Sequence, residues 1–122
     1  MKLQDDFFKV TDVQTGANTA RYSVQLNAEH PVYAAHFPGN PITPGVCIIQ
    51  MVKELVESFR QQTLFLKKLA SVRFLNVINP LEHGTVKVEF GVESSDNAEK
   101  VTATISENDI TFAKMTLLLI PV

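Results

Sequence analysis

A loop rich in proline and glycine runs directly into an apolar segment, and this junction constrains the fold more than any other feature of the chain. The loop extends from His36 to Gly45 (HFPGNPITPG) and holds three prolines and two glycines, and the apolar run that follows reaches Gln50. Proline fixes φ and glycine reaches conformations that other residues avoid, so a loop of this composition holds one shape. The junction predicts a rigid loop that presents His36 at the start of a buried helix.

The helix after this loop is expected over residues 44–61. Thr43 is a suitable N-cap and Pro44 suits the first helical position, where a missing N–H has no consequence. The first half of the helix is apolar on every face except at Gln50, and a helix that is apolar all round is buried all round. Beyond Lys53 the pattern becomes amphipathic. The rest of the chain must therefore wrap the first half of this helix.

Alternating apolar and polar residues predict strands on both sides of the helix. Residues 5–13 and 19–27 form a candidate hairpin with its turn at residues 15–18, and residues 32–37 form a short bridging segment with room for one helical turn. The candidate strands after the helix are residues 65–76, 84–94, 98–107 and 109–120. This order predicts an α+β fold in which an antiparallel sheet of five to six strands wraps around one central helix.

Length, composition and charge narrow the class of protein. A chain of 122 residues fits a single domain over residues 1–122, and 45% apolar with 20% charged residues is typical of a globular protein without a membrane span. The first residues lack a secretory signal, which favours a cytoplasmic location. A net charge of −2 offers no basic field for nucleic acid. The lone Cys47 and the absence of metal-ligand spacing predict no metal site.

The loop and its surroundings resemble the 3-hydroxyacyl-acyl-carrier-protein dehydratases, which have the hot-dog fold. The stretch from His36 to Pro41, followed by Pro44-Gly45-Val46, is similar to the signature loop of that family. Pro31-Val32-Tyr33 lies where the family has a proline and two aromatic residues, and the segment that ends at Asn79-Pro80 resembles one that ends in Pro-Gly-Asp. The resemblance covers roughly residues 10–120. It implies a single hot-dog domain, in agreement with the order of strands and helix predicted above.

The resemblance also implies an activity and a set of site residues. Dehydration of a 3-hydroxyacyl thioester needs a base at C2, an acid at the C3 hydroxyl and a dipole that stabilises the developing enolate. By resemblance His36 is the base, the free N–H groups near Gly45 and Val46 polarise the thioester carbonyl, and Phe37 and Pro44 also contact the substrate. The family implies no cofactor. It implies an acyl-carrier-protein or coenzyme A thioester as substrate, and a homodimer or higher homo-oligomer with its sites at the interface.

Gln50 stands at the position where the family carries its acidic carboxylate on the central helix. An amide has no titratable proton, so loss of the general acid is expected to remove a contribution of roughly 10²–10⁴-fold. Glu54 lies one helical turn further on the same face and is a second candidate for the acid, acting through a water or on a shifted substrate. Alternatively, Glu54 is a solvated helix residue. Gln50 either satisfies a buried backbone group or binds a substrate hydroxyl or carbonyl.

Two classes of function stay open on these residues. The first is a dehydratase or hydratase of fatty-acid, related lipid or polyketide synthesis, and the second is a catalytically impaired hot-dog subunit that binds acyl chains or partners an active paralogue. A hot-dog thioesterase is a weaker alternative, because such enzymes do not generally carry this loop. Basic residues at Lys67, Lys68 and Arg73 form either a contact for an acidic carrier protein or, more commonly for such residues, a solvated strand edge.

Overall fold

Six strands and two helices make up the part of the chain that the structure, a computed structural model, describes, which is residues 2–122. In chain order the elements are β1 (Phe8–Thr15), β2 (Thr19–Leu26), α1 (Pro31–Ala35), α2 (Gly45–Arg60), β3 (Leu64–Phe74), β4 (Thr85–Ser95), β5 (Ala98–Glu107) and β6 (Ile110–Pro121). The strands form one sheet in the order β1-β2-β4-β5-β6-β3, and every neighbouring pair is antiparallel. The predicted α+β architecture, with six strands and one long helix, is confirmed.

The core lies between one face of this sheet and α2. Along β2, β4, β5 and β6, alternate residues are buried, as the period of two in a strand requires when one face is covered. The helix contributes its own apolar side to the same core through Cys47, Ile48, Met51, Val52, Leu55 and Val56. The alternation of apolar and polar residues in the sequence is thus the direct cause of the one-sided burial of the sheet. Cys47 packs in this core as a small apolar residue, and burial raises the pKa of its thiol.

The two edge strands of the sheet are much less buried than the four strands between them. On β3 only Leu64 is fully buried, and large apolar side chains such as Phe65, Leu69 and Phe74 are exposed. On β1 only Phe8 is fully buried. Because β3 pairs with β6 alone, its outer row of backbone N–H and C=O groups has no strand beside it within residues 2–122.

Three expectations from the sequence are wrong in detail. Residues 5–7 form a turn rather than the start of a strand, because the carbonyl of Leu3 accepts hydrogen bonds from the N–H groups of Asp6 and Phe7 at 3.1 and 2.7 Å. Thr43 is not the N-cap, and Pro44 is not the first helical residue: Pro44 is itself the N-cap, and the Thr43 hydroxyl donates to the carbonyl of Ile78 instead. The first half of α2 is not buried all round, since Val46 is 69% exposed.

Candidate functional site

The loop that carries His36 is held in one shape by its own backbone. His36 caps the C-terminus of α1: its N–H donates to the carbonyl of Tyr33, and its own carbonyl accepts from the N–H of Ile42 at 3.0 Å. Inside this span Phe37 and Asn40 exchange two backbone hydrogen bonds of 3.3 and 3.0 Å. The peptide bond between His36 and Phe37 is cis, and the two rings stack with centroids 4.5 Å apart. The loop therefore holds the backbone of His36, and its imidazole lies against the ring of Phe37.

The far end of the loop is tied back to α1 through Tyr33 and Thr43. The Thr43 hydroxyl donates its single proton to the carbonyl of Ile78 at 3.0 Å, so the Tyr33 hydroxyl must be the donor in its 2.9 Å contact with Thr43. All three groups lie in the interior. Burial raises the pKa of Tyr33 to about 12, so the phenol stays neutral near neutral pH. The hydrogen bond between Tyr33 and Thr43 thus links α1 to the residue just before the N-cap of α2.

The start of α2 offers unpaired N–H groups next to a glycine. Pro44 has no side-chain hydrogen bond to the first turn, and its carbonyl accepts the N–H groups of Cys47 and Ile48. The N–H groups of Gly45 and Val46 therefore belong to the unpaired donors found at every helix N-terminus. A cavity of about 280 Å³ lies beside them and is lined by Ile42, Thr43, Gly45, Ile48, Phe74, Leu75, Asn76, Val77 and Ile78. An electronegative oxygen in this cavity would meet the positive end of the helix dipole.

Gln50 and Glu54 are in direct contact on α2. The Gln50 amide nitrogen Nε2 donates to Oε2 of Glu54 at 2.8 Å. Glu54 is only 5% exposed, and its two oxygens also accept the backbone N–H groups of Leu3 and Gln4, at 2.7 and 2.8 Å. The alternative that Glu54 is a solvated helix residue is therefore wrong. A second cavity, of about 520 Å³, lies beside this pair.

The site residues predicted from the sequence fall into two groups within the chain. Pro44 and Gly45 lie at the start of α2 with the exposed side chain of Val46, and the loop before them carries His36 and Phe37. Gln50 and Glu54 line the second cavity. His36 lines neither of the two cavities. The described residues contain no group of three or more His, Cys, Asp or Glu side chains that could hold a metal ion.

Comparison with known proteins assigns the chain to a family. The family described as ApeI-like, the ApeI dehydratase family, matches residues 12–114 of the chain. The chain belongs to the ApeI-like dehydratase family. A relative named 3-hydroxyacyl-[acyl-carrier-protein] dehydratase FabZ, from Levilactobacillus brevis, is 29% identical in an alignment of length 118 that covers 85% of this chain and 78% of that protein. A relative of the same name from Caulobacter vibrioides is 34% identical in an alignment of length 73 that covers 52% of this chain and 46% of that protein.

Solved structures show the same fold as this member of the ApeI-like family. A chain of the dehydratase heterocomplex ApeI:P from Xenorhabdus doucetiae superposes with a TM-score of 0.75 at 18% identity, over 92% of this chain and 96% of that chain. An uncharacterised protein from Erwinia carotovora superposes with a TM-score of 0.66 at 20% identity, over 93% and 94% of the two chains. The hot-dog fold implied by the resemblance is confirmed. In residues 2–122 no helix is long and apolar enough to cross a membrane.

Two features of the ApeI-like site could not be read from local sequence. The ring of Phe74 packs on Gly45, and the backbone of Leu3 and Gln4 binds Glu54. Both contacts join segments that are far apart in the chain, so no local motif or residue spacing predicts them. The single hint was the position of Glu54 on the same helical face as an apolar run, which a purely solvated residue would not be expected to share.

Proposed function

We propose that the protein is a 3-hydroxyacyl-[acyl-carrier-protein] dehydratase, which removes water from a 3-hydroxyacyl thioester to give the trans-2-enoyl thioester. Membership of the ApeI-like dehydratase family supports this activity, as do relatives with that activity in their names. The observation that carries the proposal is the single rigid loop that fixes both a histidine and the unpaired start of a helix. Such a loop provides a base and a site for a developing oxyanion at a set separation.

In the proposed reaction His36 removes a proton from C2 of the substrate. The negative charge that develops on the thioester oxygen is stabilised by the N–H groups of Gly45 and Val46 and by the positive end of the α2 dipole. The side chains of Phe37 and Pro44 flank the bound thioester. As the enolate collapses, the C3–O bond breaks and the hydroxyl leaves with a proton as water. The Gln50 amide has no titratable proton, so we assign it a hydrogen bond to the C3 hydroxyl of a substrate held by His36 of a second copy, because His36 does not line the cavity that Gln50 lines within one chain.

The proton that leaves with the hydroxyl has two candidate sources. The first is His36, which returns the proton that it took from C2. The second is Glu54, acting through a water molecule, which stays a prediction from the sequence. The contacts of Glu54 favour the first source, because its oxygens face three hydrogen-bond donors and a carboxyl proton needs an acceptor.

We infer that the active form is a homodimer, with acyl-carrier-protein or coenzyme A thioesters as substrates. The exposed apolar side chains on β3 and the free backbone edge of that strand support a symmetric contact between two copies. Lys67, Lys68 and Arg73 lie on the same strand and are exposed, so an acidic carrier protein could approach them. A cytoplasmic location is part of the same proposal.

The test is turnover of a 3-hydroxybutyryl thioester, with the hydration of the crotonyl thioester as the reverse assay. His36→Ala should lower kcat by roughly 10²–10⁴-fold, the usual contribution of a general base. His83→Gln is the matched control, because His83 is a half-buried histidine that contacts Glu107 away from the loop, and it should keep parental turnover. Equal turnover by the parent and by His36→Ala would contradict the proposal. Gln50 favours one other outcome, an impaired subunit, which would bind the thioester tightly without turnover.

A further inference from the structure

The carboxylate of Glu54 is buried beside a cavity that Lys2 and Lys53 also line. None of the ion pairs within residues 2–122 includes Glu54, and the neighbouring Lys53 pairs with Glu57 instead. A buried carboxylate is unfavourable unless hydrogen bonds replace its lost water. Here the replacements are the N–H groups of Leu3 and Gln4 and the amide of Gln50. All three of these groups donate hydrogen bonds to the Glu54 carboxylate, which accepts each of them.

The backbone donors come from residues 2–7, which we call the N-terminal arm. The arm turns at Asp5, which has a left-handed φ of 70°, and the turn is closed by hydrogen bonds from Asp6 and Phe7 to the carbonyl of Leu3. This turn leaves the N–H groups of Leu3 and Gln4 directed at α2 rather than at the arm itself. The arm therefore binds Glu54 with backbone N–H groups, which a substitution in the arm removes only where it introduces proline.

The other end of the arm is fastened to α1. The Nδ1 atom of His30 accepts the N–H of Val32, so its Nε2 carries the proton that is donated to Oδ2 of Asp6 at 3.1 Å. The ring of Phe7 stacks on Tyr33 with centroids 5.7 Å apart. The arm thus joins α1, whose C-terminus His36 caps, to α2, which carries Gln50.

Contact with a carboxylate settles which end of the Gln50 amide faces Glu54. An ionised carboxylate only accepts hydrogen bonds, so the amide nitrogen must point towards it and the amide oxygen away. We propose that Glu54, held by the N-terminal arm, is a positioning residue that fixes the orientation of Gln50 towards the C3 hydroxyl of the substrate. This rests on the proposed function and deepens it. Glu54 acts through Gln50 and does not give up a proton.

This assignment leaves His36 to complete the reaction. The C2–H bond breaks and its proton moves to the imidazole, while the electron pair forms the enolate. The enolate then forms the C2–C3 double bond as the C3–O bond breaks, and the departing oxygen takes the proton back from His36 and leaves as water. Nothing is oxidised or reduced, and His36 ends as neutral imidazole.

A double-mutant cycle between positions 50 and 54 tests the proposal in the full-length protein. We expect Glu54→Ala to lower kcat by roughly ten-fold, within the range of coupling found between residues in contact, and to have no further effect in a Gln50→Ala background. Glu54→Gln should restore most of the activity, because its side-chain oxygen still accepts from Gln50. If Glu54 were the acid, Glu54→Gln would lose as much as Glu54→Ala, and the loss would persist in the Gln50→Ala background. That result would overturn the proposal.

Amide signals give a second test that does not depend on turnover. We expect Glu54→Ala to shift the side-chain ¹⁵N–¹H resonances of Gln50 and to speed hydrogen exchange at the N–H groups of Leu3 and Gln4. Glu57→Ala is the matched control, because Glu57 lies on the same helix but accepts from Leu64, and it should change neither signal. Unchanged signals in Glu54→Ala would overturn the proposal even if the protein is a dehydratase. The expected shifts in a parent without turnover would instead refute the proposed function and leave the positioning of Gln50 by Glu54 standing.

Discussion

The ring of Phe74 lies so close to the backbone of Gly45 that a Cβ atom on Gly45 would come within 2.7 Å of its Cζ atom. Gly45 is the first residue of α2, and Phe74 is the last residue of β3. The contact therefore joins the start of the central helix to the end of the edge strand. It explains in packing terms why glycine stands where the N–H groups of the helix are exposed to a ligand.

Gly45→Ala should force the Phe74 ring outward and disturb the start of α2. Because a misplacement of about 1 Å in a catalytic site can lower turnover by about 10²-fold, we expect a loss of kcat of up to that size. Phe74→Leu, which shortens the opposing side chain, should restore part of the activity in the double variant. Gly84→Ala is the control, since a Cβ there meets only the Pro80 carbonyl at 3.5 Å. A fully active Gly45→Ala variant would contradict this account of the contact.

Stability should depend more on Thr43 than on Tyr33, although the two hydroxyls are hydrogen-bonded to each other. Tyr33→Phe removes one donor and leaves the bond from Thr43 to Ile78 intact, at an expected loss of about 1 kcal/mol in the free energy of unfolding. Thr43→Val removes both side-chain hydrogen bonds and leaves the buried Tyr33 hydroxyl without its acceptor, for which we expect a loss of about 2–3 kcal/mol. Urea unfolding measures both values. The reverse order would show that the Tyr33 hydroxyl is better satisfied than these contacts indicate.

Most of the sheet was predictable because its burial is one-sided. Strands β2, β4, β5 and β6 alternate buried and exposed residues, and this pattern alone sets their limits to within one or two residues. Residues 5–7 of the N-terminal arm were wrongly predicted as the start of a strand because their pattern fits the same alternation. Its turn is stabilised by contacts with Glu54 and His30, which are distant in sequence, and such contacts override local propensity.

The candidate site was predictable only where its residues are neighbours in sequence. His36 and Gly45 share one loop, so proline and glycine spacing was enough to predict their fixed separation. Thr43 has the residue type and position of an N-cap. Its hydroxyl instead donates to the carbonyl of Ile78 and accepts from Tyr33, and Pro44 is the N-cap. The burial of Glu54 depends on backbone groups of the arm, which have no side-chain signature. Sequence therefore indicated the candidate base and the candidate oxyanion site but not the contacts that hold Gln50.

The two edges of the sheet should respond differently to a charge if the active form is a dimer through β3. Leu69 on β3 is 40% exposed and Val13 on β1 is 47% exposed, so the two positions are matched in accessibility. We expect Leu69→Arg to shift the sedimentation coefficient to that of a monomer and to abolish turnover, because like charges would meet across the symmetric contact. Val13→Arg should change neither property. Dissociation by Val13→Arg alone would place the interface at the other edge.

Replacing the Gln50 amide by a carboxylate should lower stability at neutral pH and raise activity in mildly acidic buffer. Gln50→Glu puts a second carboxylate at the 2.8 Å contact with Glu54, and two carboxylates in contact hold one proton between them, which raises the apparent pKa of the pair. Because this folded-state pKa lies above the unfolded value of about 4.3, the variant should be closest to the parent below that pH. As the pH rises through the folded-state pKa, the Tm of the variant should fall below that of the parent, by on the order of 5 °C at pH 7.

The proton shared by the two carboxylates in Gln50→Glu also supplies a general acid, so kcat of the variant in mildly acidic buffer should exceed that of the parent. Gln14→Glu, on exposed β1, is the control, and a pH-independent Tm difference for Gln50→Glu would contradict the contact.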